Sequence, residues 1–109
     1  MTRNTIFEEV EKCLPQFRIN AEWIKDKLGY PLINDLARHI CEAAVDCRSE
    51  QVREGMAFLE RAVGEGDDYV RDLVWEGIET LVSCESATVI RHYCGPLTTA
   101  LWREHFPHE

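Results

Sequence analysis

Two short stretches, His39-Ile40-Cys41 and His92-Tyr93-Cys94, pair imidazole with thiol, the side-chain types of a zinc site. Their spacing works against chelation. On a helix, residues two apart point about 200° away from each other at 3.6 residues per turn. Neither pair grips one ion without unwinding, and the chain has no Cys-x-x-Cys and no His-Glu-x-x-His. No metal and no other cofactor is expected. A cysteine nucleophile would need a base and a stabilised thiolate. Cys94 has His92 nearby in sequence, but it is expected at a helix C-terminus ending at Gly95, where the partial negative charge disfavours a thiolate. Gly64-Glu65-Gly66-Asp67-Asp68 is acidic and repels phosphate. It lacks the lysine of a phosphate-binding loop and the alternating oxygen ligands of a calcium loop. No catalytic residue is identified, and no enzyme is expected.

The pattern with more to offer is a row of carboxylates. At 100° per residue, Asp68, Asp72, Glu76 and Glu79 fall within about 80° of one another on one helix face. Like charges four apart cost a few tenths of a kcal/mol each, and only Arg71 lies near the edge of the row. Trp75 falls beside them, about 130° from the centre of the apolar face, and is expected to be partly exposed. An exposed Trp beside carboxylates is the composition of an interaction site. The competing reading makes Trp75 a cover for a neighbouring helix and the row solvated surface. Trp102 and Phe106, four apart, are expected to staple the last helix to the core. Tyr69 and Tyr93 read as boundary residues, and His105 and His108 as solvent-facing.

The elements that must position these residues read as helices throughout. Thr5-Ile6-Phe7-Glu8 has capping-box spacing, and the helix it opens should stop before Pro15. A second helix follows Asn20, with Gly29 as its left-handed terminus. Pro31 suits the first turn of a third, whose inner stripe is Leu32, Leu36, Ile40, Ala43 and Cys47. Ser49 is the expected cap of a fourth, with Val52, Met56, Leu59 and Val63 inward, ending at Gly64-Glu65-Gly66. Asp67 caps a fifth to about Val82, facing inward with Val70, Leu73, Val74, Gly77, Ile78 and Leu81. A short helix after Ser86 runs through Tyr93 to Gly95, and Pro96 opens the last. Ala87-Thr88-Val89-Ile90 tolerates a strand but is too short and isolated for a sheet. The fold class is all-α, with about five to seven helices in one domain over 1–109. The pattern suggests helical hairpins stacked in a short HEAT-like array, and a plain bundle fits nearly as well.

A chain of 109 residues, 45% hydrophobic, can bury a core without metal or disulfide. With 20 acidic against 12 basic residues and a net charge of −8, a direct nucleic-acid binder is excluded as an expectation. Such a charge suits a basic protein partner. No run reaches the roughly 18 apolar residues of a membrane span, and the N-terminal residues are no signal-peptide core. Five cysteines, an odd count, suggest reduced thiols and a cytoplasmic setting.

Three segments carry a family resemblance. They are the run from Gly66-Asp67-Asp68 to Glu79-Thr80-Leu81, then Gly95-Pro96-Leu97-Thr98-Thr99-Ala100-Leu101-Trp102-Arg103, and Asn34-Asp35-Leu36-Ala37-Arg38-His39-Ile40. Over positions 30–105 the chain resembles a family of small all-helical, HEAT-like bacterial proteins of unknown activity. Members of this general kind look like immunity proteins of bacterial toxin systems. The resemblance implies an antitoxin-like protein that blocks a cognate toxin by occlusion and brings no catalytic residues. The expected contact is the acidic row with Trp75 near its centre. The alternative is a structural or adaptor subunit that oligomerises through an apolar helix face.

Overall fold

Seven helices make up the computed structural model, which describes residues 1–107. They are α1 (Ile6–Cys13), α2 (Ala21–Asp26), α3 (Gly29–Val45), α4 (Ser49–Glu65), α5 (Asp68–Val82), α6 (Ala87–Arg91) and α7 (Pro96–His105). No strand occurs among the described residues, and Ala87-Thr88-Val89-Ile90 is helical. The architecture is all-α, a bundle in which α3 packs most extensively on α5, with α4 and α7 closing the sides. One core cluster draws on α1, α3, α4, α5, α6 and α7. Leu32, Leu36 and Ile40 of α3, Met56 and Leu59 of α4, and Leu73, Ile78 and Leu81 of α5 are almost wholly excluded from solvent. Each such side chain contributes about 1.5–3 kcal/mol through burial.

Local signals explain several helix ends. Asn20 accepts the Glu22 amide at 2.9 Å and caps α2. Asp67 accepts the Val70 amide at 3.0 Å and caps α5. Pro31 sits in the first turn of α3, where no amide donor is required.

Other ends depart from expectation. Thr5 does not cap α1, because its hydroxyl oxygen takes the Thr2 amide at 2.8 Å instead. Gly29 is not the left-handed end of α2. That conformation belongs to Lys27, at φ 53°, and Gly29 is buried in the first turn of α3. A Cβ at Gly29 would lie 2.5 Å from the Tyr69 hydroxyl and 2.9 Å from Leu73, so close packing rather than backbone freedom demands the glycine. Ser49 is the first residue of α4, not its cap. α4 continues through Gly64 and stops at Gly66. Cys47 leaves the expected inner stripe, since α3 ends at Val45 and Cys47 turns into the left-handed region at φ 59°, exposed. α6 ends at Arg91, so His92 and Cys94 lie in a turn rather than on a helix.

Candidate functional site

The expected apolar face of α5 is buried as a set: Val70, Leu73, Val74, Gly77, Ile78 and Leu81. Gly77 lets α3 approach closely, its missing Cβ leaving room for Ile33. Rotation of α5 is thereby set, and its other side turns outward. Asp68, Asp72 and Glu79 are exposed, and Glu76 is half-buried. Asp68 meets Arg71 at 3.9 Å, an exposed pair worth little in water.

Trp75 is 37% exposed. The last turn of α7 packs against it. The indole ring rests on His105, with centroids 4.1 Å apart, and its Nε1–H donates to Glu104 Oε2 at 2.9 Å. His105 Nε2 also lies 3.0 Å from the Trp75 carbonyl oxygen. His105 is therefore packed, not merely solvent-facing, while His108 lies outside the described residues. Trp75 is thus partly exposed, as its angle on α5 leads one to expect. It covers a neighbouring helix, and it keeps a third of its surface open beside the carboxylates.

The row divides along its length. Asp68 and Asp72 project from the open N-terminal half of α5. Glu76 and Glu79 instead form one wall of a depression of about 480 Å³, with Thr80 and Ser83. Arg38 and Cys41 of α3 and Cys84 after α5 complete it. Arg38 also approaches Asp35 at 3.8 Å.

Three other regions bear on chemistry. His39 packs on Phe17 in a polar depression with Asp35, Arg38 and Glu42. Burial, aided by nearby Arg48, lowers its pKa below the usual histidine value against the opposing pull of Glu42 and Asp35. Cys41 lies against Cys84, and burial first, then that thiol, pushes its pKa up to about 12. A third feature is a groove of about 290 Å³ between the end of α5, α6 and α7, walled by Val82, Ala87, Trp102 and Phe106. Trp102 is buried at 3% as a staple of α7, but Phe106 is 53% exposed at the groove's rim, because α7 ends one residue before it. Among the described residues no group of three or more His, Cys, Asp and Glu side chains converges on a metal position.

A family model matches residues 3–107, nearly the whole described chain. The chain belongs to the family described as Domain of unknown function (DUF7674). This is an all-helical domain, and its description carries no activity. No curated protein and no solved structure matches it.

The side chains that fix Trp75 in this DUF7674 domain were not found from the sequence. Glu104 and His105 lie about thirty positions away, and no spacing rule links them to α5. The same holds for Arg38 and the Cys41–Cys84 contact, which exist only because α3 packs along α5.

Proposed function

We propose that the chain is a non-catalytic binding protein that seats the outer face of α5 on a basic protein partner, as an immunity protein covers its cognate toxin. One observation carries this reading. Trp75, one-third exposed and already oriented by Glu104 and His105, stands in a face bearing Asp68, Asp72, Glu76 and Glu79. A held indole loses little side-chain freedom on docking, which favours it as an anchor. Carboxylates around it speed encounter with a cationic surface, and a net charge of −8 adds to that attraction. Inhibition in this scheme is occlusion in the cytoplasm, with no bond made or broken.

The test is to recover the partner from the source organism by affinity capture and measure its binding to purified variants. Trp75→Ala should weaken binding by about 2 kcal/mol or more while the protein stays folded. Undiminished affinity of a folded Trp75→Ala protein would move the interface off α5.

A second reading rests on a separate observation. Val89 and Phe106, 49% and 53% exposed, leave apolar surface at α6 and beyond α7. That surface suits a structural subunit that self-associates through an apolar helix face. Sedimentation analysis separates the two: a concentration-dependent dimer abolished by Phe106→Glu favours the second reading.

A further inference from the structure

Cys41 sits in the C-terminal part of α3, and Cys84 lies in the turn after α5. Both line the depression that holds Glu76 and Glu79. Both also line a second depression of about 310 Å³ on the side of Val45 and Asp46. The two thiols therefore stand side by side between two solvent-open hollows. Each is half-buried, within reach of a small solute. We propose that Cys41 and Cys84 are an oxidisable pair that closes to an intramolecular disulfide between α3 and the α5–α6 turn, with a peroxide as the oxidant.

The chemistry balances without a further reactant. Cys84 gives up its proton, its sulfur attacks one peroxide oxygen, and the O–O bond breaks, leaving a sulfenic acid and one water. The sulfur of Cys41 then attacks the sulfenic sulfur. The S–S bond forms as the S–O bond breaks, and the departing hydroxide takes the Cys41 proton as a second water. Two electrons pass from the thiols to one peroxide. Burial and the neighbouring Cys84 hold the Cys41 thiol protonated, which disfavours Cys41 as the sulfur that attacks peroxide first. Other cysteines are placed differently. The Cys13 sulfur lies 3.1 Å from Arg61 Nη1, and Cys47 is exposed at the α3–α4 turn.

The bond would close a loop of roughly 40 residues in the unfolded chain and so restrict that state. Oxidised protein should melt about 5 °C or more above the reduced form. The experiment uses Cys47→Ser protein, so that the tryptic peptide 39–48 keeps a single cysteine. After hydrogen peroxide, the intact mass should fall by about 2 Da, as two thiols become a disulfide. Peptide 39–48 should be joined to 72–91 within one chain, and dithiothreitol should reverse both the linkage and the melting shift. Adding Cys84→Ser to this protein should remove the linkage. Full alkylation of Cys41 and Cys84 after peroxide, oxygen added to either without linkage, or linkage only between two chains would overturn the proposal.

Discussion

The carboxylate of Glu60, on α4, caps the N-terminus of α7 through Thr98. Glu60 Oε1 accepts the Thr98 amide at 2.8 Å and the Thr98 hydroxyl at 2.9 Å, while Oε2 accepts the Leu97 amide at 2.9 Å. The Thr98 hydroxyl oxygen in turn accepts the Gly95 amide at 2.9 Å, and Thr98 is fully buried. A negative charge at a helix N-terminus satisfies unpaired amides and meets the positive end of the helix dipole. A side chain from another helix here does the work that a local cap does for α2 and α5. The contact also fixes where α7 lies, and so where Glu104 and His105 meet Trp75.

Removing this cap should be costly. Glu60→Ala leaves the amides of Leu97 and Thr98 short of an acceptor and leaves the Thr98 hydroxyl only the Gly95 carbonyl oxygen at 3.3 Å, and should destabilise the protein by about 2–3 kcal/mol. Glu60→Gln keeps one acceptor oxygen but turns an NH2 toward the remaining donors, and should cost about 1–2 kcal/mol. Urea unfolding of both variants beside wild type measures the two losses. A cost below about 0.5 kcal/mol for Glu60→Ala would show that water replaces the carboxylate without penalty.

Stability should fall with acid in two steps of different origin. Burial alone would raise the Glu60 pKa, but the Thr98 and Leu97 amides and the Thr98 hydroxyl outweigh it and hold the carboxyl below its ordinary value of 4.5. Its contribution is complete above that ordinary value and is lost as pH falls through the lower folded value. His39 is also lowered, so the unfolded chain takes up a proton near 6.5 before the folded protein does, and stability drops as pH falls below that point. Urea midpoints measured from pH 8 to pH 3 should show both. His39→Gln should flatten the upper step, and Glu60→Gln the lower.

Two glycines of one helix should respond to alanine with opposite signs. At Gly55 an added Cβ would lie 2.6 Å and 2.8 Å from two atoms of the buried Ile40 side chain. At Gly64 its nearest neighbour would be Leu97 Cδ1 at 3.4 Å, an ordinary contact. Alanine gains about 0.5–1 kcal/mol over glycine in a helix interior, whereas overpacking a core costs about 1–3 kcal/mol. Gly64→Ala should raise the melting midpoint, less than a full interior gain because it lies in the last turn. Gly55→Ala should lower it. A higher midpoint for Gly55→Ala would mean that α3 and α4 can separate freely, contrary to the tight contact seen.

Charge reversal should separate local from global attraction once a partner is in hand. Asp72→Lys and Glu76→Lys should slow association, more at low salt than at high, because they act through long-range charge. Glu11→Lys makes the same change in net charge on the exposed side of α1 and is the control. Equal slowing by all three would leave net charge, and not the α5 face, as the cause.

Much of the fold was legible because a helix repeats its environment every 3.6 residues. Val70, Leu73, Val74, Gly77, Ile78 and Leu81 could be placed inside α5 from spacing alone, and the partial exposure of Trp75 followed from the same angle. Asp67 could be recognised as a cap because it reaches an amide three residues ahead, and Asn20 could be placed at the start of α2. The same reasoning failed at Thr5, where an equally local acceptor role toward Thr2 competed and won. It failed at Phe106 because a helix that ends one residue early swings the next side chain away from the core.

What tertiary packing alone decided is which distant groups meet. Glu60 and Thr98 are 38 positions apart, and Trp75 and Glu104 are 29 apart. Helical periodicity says which way a side chain faces from its own axis. It carries no information about how far a second helix slides along the first, or at what angle it crosses. Those quantities are set by the fit of Gly55 against Ile40, Gly77 against Ile33 and Gly29 against Tyr69 and Leu73. The packed core therefore determines that Trp75 is held by α7 rather than left to solvent, while the sequence alone determined that it would stand among carboxylates.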